Sequence, residues 1–107
     1  SAITHLNLWA CGLSNVSIIS RYFNAQVLSL SDNRITTLKP FRSLLGLREL
    51  YLRNNGVSDL AEVAWLRSLR HFRILWLRGN PMMSGRHSSI ARQLIVAALP
   101  QLTTLDN

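Results

Sequence analysis

A pattern of leucines recurs four times along the chain and predicts its secondary structure. Each copy approximates Leu-x-x-Leu-x-Leu-x-x-Asn, and the last position is held by Cys11, Asn33, Asn55 and Asn80. These positions are 22, 22 and 25 residues apart. Because successive residues of a strand point to opposite sides, each Leu-x-Leu predicts a short strand with one buried face.

The copies together predict a solenoid. Their strands pair in parallel, and the residues between them return along the outside as 3₁₀ or short helices, because apolar residues there are spaced by about three. After residue 81 a helix that carries Ile90, Leu94 and Ile95 is predicted to cover the open end of the core. The fold class is therefore α/β, with about four to five short parallel strands on the concave face, short helices on the convex face and a C-terminal helical cap.

A chain of 107 residues has the length of one domain. We expect a single domain over residues 1–107, divided into repeats at about 3–24, 25–46, 47–71 and 72–81. The C-terminal cap is expected at about 82–107.

The residue that follows each strand is predicted to hold the turn. An asparagine amide both donates and accepts hydrogen bonds, so Asn33, Asn55 and Asn80 can pair with backbone groups that the turn buries. Stacked in successive repeats, these amides predict a structural ladder. In the first copy we expect Cys11 to take that place, as a small buried residue with a weak donor.

The 22-residue repeats, with Asn80-Pro81 and the terminal Leu99-Pro100-x-Leu102-x-x-Leu105-Asp106, resemble leucine-rich repeats of the protein-phosphatase-regulator (SDS22-like) class. More narrowly, Leu8-Trp9, Glu49-Leu50-Tyr51-Leu52-Arg53 and Leu75-Trp76-Leu77, together with the same Asn-Pro and terminal motifs, resemble the cilia- and flagella-associated protein 410 family. Much of this is repeat scaffold. The residues outside the scaffold (Trp9, Tyr51, Arg53 and Trp76) make the chain similar to the cilia- and flagella-associated protein 410 family.

The resemblance implies a role in cilium or flagellum assembly at the basal body. It also implies a protein partner, for which a NIMA-related kinase is one candidate. Members of that family continue beyond the repeats into a linker and a helical module, so functions that reside there are not readable from these residues.

Strand residues between the leucines are predicted to face solvent on the concave side, with Tyr51 beside Trp76 because neighbouring strands lie about 4.8 Å apart. Aromatic residues and arginines anchor protein interfaces. The predicted partner-binding residues are Trp9, Arg48, Tyr51, Arg53, Arg73, Trp76 and Arg78. Trp9 is expected two to three strands from the aromatic pair, either as a separate anchor or as a cover for the first repeat. In the alternative interpretation, the arginines only stack on the rings and keep the surface hydrated.

The net charge of the chain indicates which class of partner to expect. The chain has 12 Lys+Arg against 5 Asp+Glu, a net charge of +7, and Lys39 is its single lysine. We expect an acidic or amphipathic protein segment on the concave face. The same charge leaves open an alternative, a spliceosomal A-prime-like protein that supports RNA or ribonucleoprotein binding.

Other function classes find little support in the sequence. The three histidines and Cys11 lack metal-ligand spacing, and the five carboxylates are scattered. No phosphate-binding glycine loop or nucleophile motif is present. We therefore expect no enzyme activity, no catalytic residues, no metal site and no cofactor. With no apolar run near the ~20 residues that span a bilayer and one cysteine, we also expect no membrane insertion and a cytoplasmic location.

Overall fold

A five-stranded parallel sheet forms the concave face in the computed structural model, which describes residues 4–86 and 88–106. The strands are β1 (His5–Asn7), β2 (Val27–Ser29), β3 (Glu49–Tyr51), β4 (Ile74–Trp76) and β5 (Thr104–Leu105). They pair in chain order, and their register puts the central leucines in one row: Leu6, Leu28, Leu50, Leu75 and Leu105. The leucine-rich solenoid predicted from the repeat spacing is confirmed.

Short helices return the chain along the convex face. Within the described part of the chain, four are 3₁₀ helices, at Ser17–Arg21, Lys39–Ser43, Leu60–Leu66 and Pro81–Met83, and the fifth is the α-helix α1 at Ser88–Ala98. The Leu60–Leu66 helix begins where the Asp59 carboxylate accepts a hydrogen bond from the backbone N–H of Ala61 at 2.9 Å. That bond satisfies one of the N–H groups left unpaired at a helix start.

The core lies between the sheet and these helices. Leu28, Leu50 and Leu75 of the central row are fully buried, together with Phe41 and Phe72 from the segments between the strands. Burying a leucine or phenylalanine side chain stabilises the fold by about 1.5–3 kcal/mol. Each repeat therefore contributes to one continuous core and presents the alternate strand residues on the other face.

The predicted cap helix buries only part of its apolar residues. Ala91 and Ile95 face the core, whereas Ile90 and Leu94 are each 51% exposed. Two apolar rows lie one residue apart on α1, and the row with the small Ala91 is the one that lets the helix approach the solenoid closely.

A left-handed residue ends each of the first four strand segments. Ala10, Asp32, Asn54 and Gly79 have φ values of 55°, 60°, 59° and 88°. At Gly79 a side chain is also sterically excluded, because an added Cβ would lie 2.1 Å from Oδ1 of Asn54. These turns fix where the concave strands stop and bring the Asp32 and Asn54 side chains to that edge of the sheet.

Candidate docking site on the concave face

The asparagine ladder holds neighbouring repeats together. The Asn55 amide donates to the carbonyls of Leu30 and Leu52 at 3.0 and 3.1 Å, and its Oδ1 accepts from the backbone N–H of Ile35 at 3.0 Å. Asn33 and Asn80 make equivalent bonds one repeat away on each side. These amides pair buried backbone groups that would otherwise be costly.

Cys11 is exposed, so the prediction of a buried residue at this position is wrong. Its Sγ donates weakly to the carbonyl oxygen of Trp9 at 3.5 Å, as the amides of Asn33 and Asn55 do to the carbonyl two residues before them. The backbone N–H groups of Cys11 and Leu13 donate to Oδ1 of Asn33. A thiol has no amide with which to bridge two carbonyls, and β1 is the outermost strand of the described sheet, so nothing there covers the side chain.

Asp106 closes the other end of the sheet, a role that the sequence did not suggest. Its Oδ1 accepts hydrogen bonds from the backbone N–H groups of Leu77 and Arg78 at 2.9 and 3.0 Å. The carboxylate is buried and lies 3.6 Å from Nε of Arg53. Asp106 therefore connects the last described strand to an arginine of the concave face.

An aromatic pair with an arginine forms one wall of the concave face. The rings of Tyr51 and Trp76 meet edge to face, with centroids 4.5 Å apart. The Arg53 guanidinium carbon lies 3.8 Å from the Trp76 ring centroid, a cation–π contact, while Nε of Arg53 faces Asp106. Arg53 is thus held from two sides, and its charge is partly balanced by Asp106.

Trp9 lines the same hollow as the aromatic pair. The hollow has a volume of about 430 Å³ and is lined by Trp9, Ser29, Ser31, Asp32, Tyr51, Arg53, Asn54 and Trp76. Ser29, at the end of β2, and Ser31, just after it, have small side chains, so the hollow is deepest between the Trp9 and Tyr51 rings. Trp9 and the aromatic pair therefore share one surface, which we call the concave hollow.

Asp32 fixes the orientation of Trp9. Oδ2 of Asp32 accepts a hydrogen bond from Nε1 of Trp9 at 2.6 Å, and Oδ1 accepts one from the amide of Asn54 at 3.1 Å. The Trp9 side chain nevertheless stays 60% exposed. An indole that is oriented but not covered is available for contact with another molecule.

The remaining arginines of the predicted surface lie elsewhere. Nη1 of Arg73 donates to the carbonyls of Arg70 and Phe72, at 2.8 and 2.9 Å, so its guanidinium folds back onto the loop before β4. Arg78 lines a different hollow, next to the start of α1. Arg48 is exposed at the start of β3 and does not line the concave hollow. The structure thus brings Trp9, Tyr51, Arg53 and Trp76 together and separates Arg48, Arg73 and Arg78 from them.

Tyr51 is restrained by a second carboxylate. Its hydroxyl donates a hydrogen bond to Oε1 of Glu49, two residues away on the same face of β3. Burial, together with the hydrogen bond to Glu49 and its charge, raises the pKa of Tyr51 to about 12. The Tyr51 hydroxyl is therefore held as a hydrogen-bond donor to Glu49, and its ring is kept in a fixed position.

The convex face carries its own tryptophan in a different setting. Trp65 is 37% exposed, and Nζ of Lys39 and the guanidinium carbon of Arg42 lie 5.5 and 5.4 Å from its ring centroid.

No group of three or more metal-binding side chains occurs among residues 4–86 and 88–106. No helix in the same described ranges is long and apolar enough to cross a bilayer.

Comparison with known proteins supports the repeat assignment. Residues 26–65 match the family model "Leucine Rich repeats (2 copies)". The chain is 39% identical, over 98% of its length, to cilia- and flagella-associated protein 410 of Mus musculus, and spans 42% of that protein. It is 35% identical, over 76% of its length, to U2 small nuclear ribonucleoprotein A' of Mycosarcoma maydis, of which it spans 32%.

A solved structure shares the fold. The crystal structure of the Drosophila melanogaster SNF/U2A' complex contains a chain that superposes with a TM-score of 0.71 at 17% identity, covering 95% of this chain and 71% of that one. The chain therefore spans less than half the length of the curated relatives named above, while its repeats account for most of the matched solved structure.

Proposed function

Because this chain belongs to the leucine-rich-repeat family and is similar over nearly its whole length to cilia- and flagella-associated protein 410, we propose that it is a non-enzymatic docking module for cilium or flagellum assembly. It acts at the basal body and binds a protein partner through the concave hollow. A ciliary kinase of the NIMA-related type is one candidate partner.

The observation that carries this proposal is the shared position of three aromatic side chains. Trp9, Tyr51 and Trp76 line one hollow in the concave sheet. A partly exposed aromatic cluster provides a large contact area at low entropic cost, since each ring is already held by a neighbour. Glu49 holds Tyr51, and Asp32 holds Trp9.

Localisation of the tagged full-length protein in ciliated cells tests the proposal. We expect the Trp9→Ala, Tyr51→Ala double variant to lose its basal-body signal, because both changes remove contact area in the hollow while Arg53 and Asp106 stay paired. Trp65→Ala is the matched control, since it removes an indole from the convex face. Thermal unfolding of both variants checks that the fold persists. Full basal-body signal in the double variant would contradict docking through the hollow.

Ribonucleoprotein binding is the second candidate, favoured by the net charge of +7 and by the similarity to U2 small nuclear ribonucleoprotein A'. Binding driven by phosphate contacts weakens steeply with salt: 6–10 contacts lose about 10³–10⁵ in affinity between 50 and 200 mM. A gel-shift titration with single-stranded RNA separates the two candidates. Failure to shift the RNA at low salt would remove this one.

A further inference from the structure

The chain's carboxylates are unevenly distributed over the solenoid. Asp32, Glu49 and Asp106 lie on the concave side, in or beside the concave hollow, although the whole chain carries +7. Arg53 is the one cationic residue in the hollow lining, and it already faces Asp106. The lining of the hollow is therefore less basic than the molecule as a whole, since it holds one carboxylate, Asp32, against one guanidinium, Arg53.

Asp32 has unused hydrogen-bonding capacity. The two hydrogen bonds that it accepts within the described residues come from neutral groups, the Trp9 indole and the Asn54 amide. A carboxylate accepts about four hydrogen bonds in total. Its charge is therefore not balanced by these donors, and lone pairs remain for a further donor that enters the hollow.

The hollow is wide enough to admit a side chain beside Trp9. Asn7 is in register with Ser29 and Tyr51, so the backbone of Trp9 lies two strands across and two residues along from that of Tyr51, or roughly 12 Å away. Contact of a flat group with the Trp9 ring takes up about 3.5–4 Å of the separation between Trp9 and Tyr51. The small side chains of Ser29 and Ser31 leave the space between them open.

From this geometry we infer that the concave hollow receives an arginine side chain of the partner, stacked against Trp9 and hydrogen-bonded to Asp32. The inference rests on the proposed docking function and adds the chemistry of the docked residue. A guanidinium is planar, stacks on indoles and can form paired hydrogen bonds with a carboxylate, which an ammonium cannot.

The net charge of the chain limits the rest of the partner segment. A chain with +7 repels a strongly basic partner at long range. We therefore infer a single arginine within an amphipathic segment whose other charges are acidic, so that those charges meet the exposed arginines around the solenoid. An acidic side chain in the hollow itself would face Asp32 and Glu49.

Three small probes test the inference: the N-acetyl, N-methylamide derivatives of arginine, citrulline and glutamate. Their binding is followed by the indole N–H NMR signals, with Trp65 on the convex face as an internal reference. We expect the arginine probe to shift the Trp9 and Trp76 signals saturably and leave the Trp65 signal unchanged. Citrulline has nearly the same shape without the charge, and we expect it to bind about three- to fivefold more weakly.

Asp32→Asn is the matching variant of the protein. Asparagine tolerates the left-handed backbone at this position, and its one acceptor oxygen can keep the hydrogen bond from Trp9, while the charge and the longer hydrogen bond from Asn54 are lost. We expect it to weaken the arginine probe by about the same three- to fivefold. Asp59→Asn is the control, because it removes a carboxylate from the start of a convex helix and keeps a good capping residue.

The outcomes distinguish this inference from the docking proposal. Equal binding of arginine and citrulline, tighter binding of glutamate, or no effect of Asp32→Asn would overturn the arginine inference. If the arginine probe fails these comparisons while Trp9→Ala, Tyr51→Ala still loses the basal-body signal, docking holds and the arginine inference fails. If the double variant also keeps the signal, the docking proposal itself fails.

Discussion

The two faces of the solenoid each pair a tryptophan with cationic side chains, yet the settings differ. On the concave face Arg53 lies 3.8 Å from the Trp76 ring centroid and is held by the buried carboxylate of Asp106. On the convex face Lys39 and Arg42 approach Trp65 at more than 5 Å. The same residue types thus form a held wall on one face and a loose surface contact on the other.

The difference is explained by what lies beneath each contact. The Tyr51 and Trp76 rings project from strands whose register is set by the buried leucine row, so their spacing is fixed. The convex residues project from short 3₁₀ helices, whose hydrogen bonds are less well aligned. Restraint by neighbouring carboxylates, rather than the presence of an aromatic residue, distinguishes the candidate docking face.

The largest expected difference between the two faces is in the free energy of unfolding that one carboxylate of each face contributes. Asp106→Ala leaves the buried N–H groups of Leu77 and Arg78 without an acceptor and should lower the free energy of unfolding by about 3 kcal/mol. Asp59→Ala removes one exposed helix cap and should cost about 1 kcal/mol. Urea unfolding measures both. Equal losses would show that Asp106 does not secure the concave end of the sheet.

A smaller difference in the free energy of unfolding is expected between Arg53 of the concave face and Arg42 of the convex face. Arg53→Gln removes the stacking on Trp76 and the charge opposite Asp106, and should lower the free energy of unfolding by about 2 kcal/mol. Arg42→Gln should change it by about 0.5 kcal/mol, because its contact with Trp65 is longer and exposed. The comparison fails if chemical denaturation gives the two variants the same stability.

The smallest effect concerns the Tyr51 hydroxyl at high pH. Its pKa is about 12 in the folded chain against the ordinary 10.0, so the folded state binds this proton more tightly than the unfolded state. Stability from this group is complete below pH 10 and is lost as the pH rises to about 12. In a Tyr22→Phe background, tyrosinate absorbance should report the ionisation of Tyr51 alone. Ionisation near pH 10 would contradict the restraint by Glu49.

The strands could be predicted from the sequence because one physical rule sets them. Alternation in Leu-x-Leu and a repeat of 22 to 25 residues fix both the buried row and the pairing of neighbouring strands. The contact between Tyr51 and Trp76 follows from the same register. Such predictions need no knowledge of side-chain conformation.

The rest of the hollow depends on contacts that no period encodes. Asp106 reaches Arg53 from the C-terminal cap, and its place directly after β5 follows from how α1 directs the chain rather than from the repeat. The position of Trp9 depends on the hydrogen bond to Asp32 and on the two small serines of the β2 segment. Small residues between two aromatic positions were the available signal that one hollow could contain both.

Hydroxyl-radical footprinting of the full-length protein, free and in the complex purified from ciliated cells, tests docking through the hollow most directly. It needs no substitution and reads all the relevant rings in one sample. The account predicts that partner binding protects Trp9, Tyr51 and Trp76 together from oxidation while Trp65 reacts as before. Protection of Trp65 with the three concave rings still reactive would place the partner on the convex face and contradict the account.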